Sequence, residues 1–100
     1  MAIIDVTVIP VGTDGPSVSP YVAEIHKVLK ASSRNIKFQL TPMSTIIEGE
    51  LPDLLATIQD IHEVPFLKGA QRVCTNIRID DRRDVDNSME RKLAAVNAQL

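Results

Sequence analysis

Two hydrophobic periods alternate along the chain, and this alternation restricts the fold to one that combines strands with helices. In residues 2–11, the apolar side chains Ile4, Val6 and Val8 share one side of the chain. A period of two predicts a strand with one buried face. The segments with this period are residues 2–11, 36–41, 44–50 and 72–80. The sequence therefore predicts four strands, of which the second and third form a hairpin.

The first predicted helix follows a glycine-containing loop. Ser19 is interpreted as its N-cap and Pro20 as its first helical residue, where the missing amide hydrogen of proline does no harm. The helix is predicted to end near Ser32. Its apolar residues at helical spacing are Val18, Tyr21, Val22, Ile25, Val28 and Leu29.

Two further helices complete the predicted order of elements. The second begins at Pro52, and Pro65 is expected to end or kink it. Asn87 with Glu90 three residues later resembles a capping pair for the third. The order β-α-β-β-α-β-α predicts an α+β, ferredoxin-like fold with an extra C-terminal helix. Its four-stranded sheet is antiparallel, and residues 1–100 form a single domain.

This topology gathers hydroxyl side chains at one end of the sheet. The loop after the first strand, the hairpin turn and the loop before the fourth strand all meet there. The start of the first helix adds free backbone amides, which favour a negative or hydrogen-bond-accepting group. The residues predicted to form a ligand site are Ser17, Ser19, Thr41, Met43, Ser44, Thr45, Glu48 and Arg72.

Each of these residues also has a structural interpretation. Ser19 alone fits an N-cap, and Ser44 and Thr45 fit ordinary strand positions. Arg72 either binds a phosphate or pairs with a nearby acid or loop carbonyl. Glu48 either faces a cationic ring, in its own subunit or in a neighbouring one, or is a solvated charge at the end of a strand.

Composition disfavours several classes of function. The 11 basic and 13 acidic residues give a net charge of −2 without a basic stripe, and aromatic residues are only 3%. Both facts disfavour nucleic-acid binding. His26 and His62 have no second ligand at helical spacing, so no metal is predicted, and neither a cofactor nor a catalytic residue is expected. No apolar run reaches membrane-spanning length, and we expect a cytoplasmic, soluble protein.

The sheet face opposite the two helices mixes polar and apolar residues. Ile3 and Ile9 lie among Asp5, Thr7 and other polar side chains. If this face were open, its apolar residues would be exposed together. We therefore expect it to pack against the sheet of a second copy.

Several short motifs together resemble the small thiamine-binding protein family across nearly the whole chain. They are Val11-Gly12-Thr13; Ser17-Val18-Ser19 with Tyr21-Val22; Thr41-Pro42-Met43 through Thr45 with Glu48-Gly49-Glu50; His62-Glu63; Gly69-Ala70 with Arg72-Val73; and Ile79-Asp80-Asp81-Arg82-Arg83 with Lys92. The sequence departs from the family pattern at Ser44, where glycine is usual, and at Pro65, inside a helix that is usually unbroken.

The resemblance implies a function as well as a fold. It implies a ferredoxin-like subunit that self-associates into dimers and tetramers through its sheet. It also implies binding of thiamine or its hydroxymethylpyrimidine part without an established reaction. Two alternatives from other classes are a regulatory or scaffolding module and a small ferredoxin-like enzyme. The enzyme is less favoured, because neither histidine is predicted to lie at the converging loops.

Overall fold

The computed structural model describes residues 1–100 and confirms the predicted α+β fold. Its elements are β1 (Ala2–Pro10), α1 (Ser19–Ala31), β2 (Ile36–Leu40), β3 (Thr45–Gly49), α2 (Leu51–Leu67), β4 (Val73–Asp81) and α3 (Met89–Asn97). The four strands form one sheet in the order β2-β3-β1-β4, with every neighbouring pair antiparallel. This is the ferredoxin-like order with the predicted extra helix at its C-terminal end.

The two neighbours of β1 pair with it over different lengths. With β4, pairing runs from Ala2 opposite Asp81 to Pro10 opposite Val73. With β3, pairing stops at Val6 opposite Thr45. The β3 side of residues 7–9 therefore has no strand beside it, and a gap opens at this end of the sheet.

One face of the sheet carries the hydrophobic core. The alternating residues of β1 predicted to share a face are all buried there, and α1 and α2 cover them. The buried cluster comprises Ala2, Ile4, Val6, Val8, Ile25, Leu29, Ile47, Leu54, Ile58, Ile61 and Val64. Each fully buried aliphatic side chain contributes about 1.5–3 kcal/mol. This packing fixes the position of α1 relative to the hairpin.

The ends of α1 and α2 differ in detail from the predictions. Val18, not Ser19, is the N-cap of α1, because its carbonyl already accepts hydrogen bonds from the amides of Tyr21 (3.0 Å) and Val22 (3.1 Å). Ser19 is the first residue inside the helix. Helix α2 continues two residues beyond Pro65. None of the three helices combines the length and the apolar character needed to cross a membrane.

Helix α3 begins one residue later than its predicted capping pair. Ser88 is the N-cap and accepts a hydrogen bond from the amide of Arg91 (3.1 Å), whereas the side chain of Asn87 donates to the carbonyl of Asp80 (2.9 Å). The first residue of α3, Met89, donates its amide to the Glu48 carboxylate. This contact lies on the sheet face opposite the core.

Helix α3 therefore changes the expectation for the open face. Ile3 lies opposite Glu48 across the β1–β3 pair and is buried, while Ile9 remains exposed. Ile3 is therefore buried within a single chain, and only Ile9 of the two needs a second copy to cover it. Packing of this face on a second copy remains a prediction for its uncovered end.

Candidate ligand-binding cleft

A cleft lies at the end of the sheet where β3 stops short. Its volume is about 930 Å³, within the roughly 300–1,000 Å³ typical of small-molecule sites. The lining comprises residues 6–9 of β1, 17–19, 22, 23, 25 and 26 of the α1 region, 40–45 of the hairpin, and 61 of α2. Two of the three segments that the topology was expected to bring together, the start of α1 and the hairpin turn, thus line the cleft, whereas the loop before β4 does not.

The hairpin turn forms one wall of the cleft, and Thr41 holds it in shape. The Thr41 hydroxyl donates to the carbonyl of Ser44 (2.8 Å) and accepts from the Ser44 amide (3.1 Å). The Thr41 amide donates to the same carbonyl (2.9 Å). These bonds keep Ser44 in the turn, so that β3 begins at Thr45 rather than at the predicted Ser44. The Thr41 hydroxyl is already used within the turn.

Thr45 and His26 form a polar pair inside the cleft. Thr45 is 7% exposed and lies on the core side of β3. Its Oγ1 atom is 2.9 Å from Nε2 of His26 on α1. The imidazole also meets the edge of the Phe38 ring, with centroids 5.8 Å apart. The pair joins α1 to β3 directly beneath the hairpin turn.

The cleft contains no aspartate, glutamate, lysine or arginine in its lining. His26 is its only residue that titrates near neutral pH. Burial lowers the pKa of His26 below 6.5, and the positive charge of Lys30 lowers it further. The imidazole is therefore neutral at pH 7, and the cleft offers uncharged donors and acceptors to a ligand.

The start of α1 forms the opposite wall of the cleft. The Ser17 and Ser19 hydroxyl oxygens lie 3.2 Å apart, and both residues are exposed. The backbone here offers few free donors, because Pro20 has no amide hydrogen and the Tyr21 and Val22 amides already donate to the Val18 carbonyl. This wall can therefore provide mainly hydroxyl groups to a bound molecule, and the expected free amides are not present.

Six of the eight predicted site residues line this cleft, and two do not. The six are Ser17, Ser19, Thr41, Met43, Ser44 and Thr45. Glu48 and Thr45 are three positions apart on β3, so their side chains point to opposite faces of the sheet. Glu48 therefore faces away from the cleft. It is 2% exposed, and its Oε2 accepts from the Met89 amide at 3.3 Å.

Arg72 lies at the predicted end of the sheet but away from the cleft. Its carbonyl accepts a hydrogen bond from the Val11 amide (2.9 Å), and the residue is exposed. The strand that follows it, β4, is on the opposite edge of the sheet from the hairpin. Arg72 therefore lies at the predicted end of the sheet but not within reach of the hydroxyl groups.

His26 is the cleft residue that the sequence analysis missed. The expectation that no histidine lies at the converging loops is wrong for this residue. A signal was present: His26 follows Val22 by four residues and precedes Leu29 by three, and these spacings share a helix face. Because histidine is polar, His26 was not counted among the apolar residues that define the buried face of α1.

A second histidine–threonine pair lies outside the cleft. His62 Nδ1 on α2 is 2.6 Å from Thr75 Oγ1 on β4. The imidazole meets the edge of Phe66 with centroids 5.6 Å apart. Thr75 stands opposite Val8 within the unbroken β1–β4 pairing. Neither residue of this pair lines the cleft, so the pair provides a control for the first.

The sequence of the chain matches the profile of a family described as thiamine-binding protein over residues 4–97. The chain belongs to this thiamine-binding protein family. A relative, the UPF0045 protein YqgV of Bacillus subtilis, is 60% identical over 102 residues, which cover 100% of this chain and 98% of the relative. Another, the UPF0045 protein MJ1052 of Methanocaldococcus jannaschii, is 36% identical and covers 92% and 88% of the two chains.

Solved structures agree with the fold. A crystal structure of the hypothetical protein MJ1052 superposes with a TM-score of 0.84 at 34% identity, covering 96% of this chain and 95% of the other. A candidate thiamine biosynthesis or salvage protein of Thermotoga maritima superposes with a TM-score of 0.74. Its identity is 18%, so this likeness concerns the fold alone.

Proposed function

We propose that this member of the thiamine-binding protein family is a non-catalytic protein that binds thiamine or its hydroxymethylpyrimidine part. The observation that carries the proposal is the uncharged cleft, in which hydroxyl groups and an unpaired stretch of β1 converge. Family membership supports a small-molecule ligand of this kind. The protein would act in the cytoplasm.

The chemistry of an aminopyrimidine matches the groups in the cleft. Such a ring carries an amino donor beside ring-nitrogen acceptors, and it needs partners of both kinds. Thr45 and Ser44 supply hydroxyl groups that both donate and accept. The peptide groups of residues 7–9 on the side that β3 leaves uncovered add further donors and acceptors. The apolar residues Val22 and Ile25 of α1 can cover the faces of the ring.

The test is isothermal titration calorimetry of the metal-free protein with thiamine, thiamine pyrophosphate and hydroxymethylpyrimidine. We expect saturable binding of thiamine or of the pyrimidine, with a rise in the thermal unfolding midpoint at saturating ligand. Neither heat nor a thermal shift with any of the three compounds would contradict the proposed function.

We also propose self-association into dimers or tetramers through the sheet. Supporting it, Ile9 is 42% exposed on the sheet face opposite the core, and α3 leaves Leu93 and Val96 exposed as well. Ile77 and Ile79 are similarly exposed at the β4 edge, on the core side of the sheet. Light scattering during size-exclusion chromatography measures the mass directly. A particle of 11.0 kDa, the mass of one chain, would contradict self-association.

A further inference from the structure

A single residue controls the charge of the cleft. Every other lining side chain is apolar, hydroxyl-bearing or otherwise uncharged, and His26 lies among them in contact with Thr45. Adding one proton to this imidazole changes the net charge of the cleft from zero to +1. No carboxylate in the lining is available to neutralise that charge.

We infer that His26 determines which ligand charge the cleft accepts: its neutral form admits uncharged and cationic heterocycles, and its protonated form rejects cations and favours anions. This inference rests on the proposed function, because it concerns the same cleft. It makes His26 a residue that determines specificity and gives ligand choice a dependence on pH.

The His26–Thr45 hydrogen bond gives a second reason for the change. A neutral imidazole can accept from the Thr45 hydroxyl or donate to it, depending on the tautomer. Thr45 can therefore present either an acceptor or a donor to the ligand. A protonated imidazole can only donate, which leaves the Thr45 hydroxyl as a donor toward the cleft. Protonation thus removes one of the two hydrogen-bonding modes.

The surroundings of His26 place its titration below the ordinary pKa of 6.5. Burial lowers the pKa most, and Lys30 on the same helix lowers it further. The neighbouring elements face the site with uncharged residues only: Phe38 from β2, Thr45 from β3, Val6 from β1 and Ile61 from α2. The switch is therefore expected on the acidic side of pH 6.5.

Titration calorimetry at pH 8 and pH 5 tests the inference with three ligands of different charge. The probes are hydroxymethylpyrimidine, cationic thiamine and anionic thiamine pyrophosphate. The variant His26→Gln keeps a hydrogen-bonding amide near Thr45 but carries no charge at either pH. His62→Asn is the matched control outside the cleft. The wild type and the variants are compared with the same ligand at the same pH. Any effect of the ligand's own protonation is then equal in all of them and cancels.

On going from pH 8 to pH 5, we expect the affinity of the wild-type protein for thiamine to fall about tenfold more than that of His26→Gln, because like charges repel strongly in a partly dry cleft. The affinity for thiamine pyrophosphate should rise relative to the variant. His62→Asn should behave as the wild type. Identical pH dependence in wild type and His26→Gln, with thiamine still bound, overturns the inference and leaves the proposed function intact. No binding by any ligand overturns both.

A measurement on the unmodified protein covers the case in which His26→Gln does not fold. The chain has two histidines, so their ring protons can be followed separately by NMR during a pH titration. Binding and protonation are linked reciprocally. Saturating thiamine should lower the pKa of His26 further, and thiamine pyrophosphate should raise it. An unchanged His26 pKa in the thiamine complex overturns the inference.

Discussion

The two ends of the sheet use their polar groups in opposite ways. At the end with the hairpin turn, β3 stops at Thr45 and leaves an uncharged cleft. At the other end, α3 closes over the sheet, where Glu48 binds the Met89 amide and Lys92 forms an ion pair with Asp80. The first end is open and neutral, whereas the second is covered and charged.

The difference shows how a small fold can separate stability from binding. At the covered end, Glu48 Oε2 and Asp80 bind groups of α3, whereas the second Glu48 oxygen, Oε1, is buried without a hydrogen-bond partner. At the open end, the peptide groups of residues 7–9 have no β3 partner, and the Ser44 hydroxyl makes no hydrogen bond in the structure. Substitutions at the open end should therefore change ligand affinity, and those at the covered end should change stability.

The largest expected effect is on ligand affinity, and it comes from Thr45→Val. Valine keeps the shape of threonine but removes the hydroxyl that meets His26 and faces the cleft. We expect affinity for hydroxymethylpyrimidine to fall by about 10–100-fold, equivalent to roughly 1.4–2.8 kcal/mol, the usual loss for a buried hydrogen bond. Titration calorimetry measures it.

Thr75→Val is the matched control for this comparison. It removes the equivalent hydroxyl from the His62 pair, which does not line the cleft, so ligand affinity should stay within about twofold of the wild type. Equal losses of affinity in both variants would show that the two pairs act through general stability. The proposed difference between the pairs would then be wrong.

At the open end, the sequence predicted the strands and their topology better than the end of β3 and the position of His26. Alternation of residues such as Ile4 and Val6 defined the strands, and topology then grouped Thr45 with the start of α1. The early end of β3 could not be predicted, because it depends on hydrogen bonds from Thr41 that hold Ser44 in the turn. The place of His26 depends on how α1 rotates against β3, which single-residue periodicity determines only roughly.

The covered end was predicted less well. The sequence indicated a last helix but not the surface on which it docks. Strand alternation does place Glu48 on the opposite face from Thr45, yet Glu48 was predicted in the site because a cationic ring would need a carboxylate. Only the long-range contact with Met89 identifies the role of Glu48. Such contacts join residues 41 positions apart and leave no local signature.

The second largest effect should come from tight packing at the covered end. A Cβ atom on Gly49 would lie 3.0 Å from the carbonyl oxygen of Asn35 and 3.4 Å from Ile36 Cγ2. Gly49→Ala should therefore lower the free energy of unfolding by about 1–2 kcal/mol. Chemical denaturation measures this change.

Gly15, in the loop beside the open end, is the control for Gly49. A Cβ atom there meets nothing within 4 Å. Gly15→Ala should raise stability by roughly 0.4–1 kcal/mol, because alanine restricts the unfolded chain. Equal destabilisation by both substitutions would contradict the contrast between a packed end and an open end.

A smaller effect is expected from Glu48→Ala. The change removes a charged acceptor from the start of α3, an interaction of about 1 kcal/mol. The backbone amides of α3 should exchange hydrogen faster, while the ligand affinity stays the same. Glu90→Ala removes an exposed acid from the same helix turn, 3.8 Å from Lys37, and should change exchange little. Loss of ligand affinity in Glu48→Ala would link the two ends and contradict their separation.

The smallest expected effect is the dependence of stability on pH at the open end. Burial and Lys30 hold the pKa of His26 in the folded protein below its unfolded value of 6.5. Just below pH 6.5, the unfolded chain therefore binds more protons at this residue than the folded one. The contribution of neutral His26 to the free energy of unfolding is complete above pH 6.5 and is lost as pH falls through the pKa of His26 in the folded protein.

Thermal unfolding at pH 8, pH 6.5 and pH 5 distinguishes this contribution from that of the carboxylates. Hydrogen bonds from Arg83 and Arg82 lower the pKa values of Asp81 and Asp84 from 3.8, so these groups lose their contribution only at more acidic pH. The decline between pH 6.5 and pH 5 should therefore be smaller in His26→Gln than in the wild type. Parallel declines in the two proteins would mean that His26 is as easily protonated in the cleft as in water, and the neutral cleft at the open end would lose its physical basis.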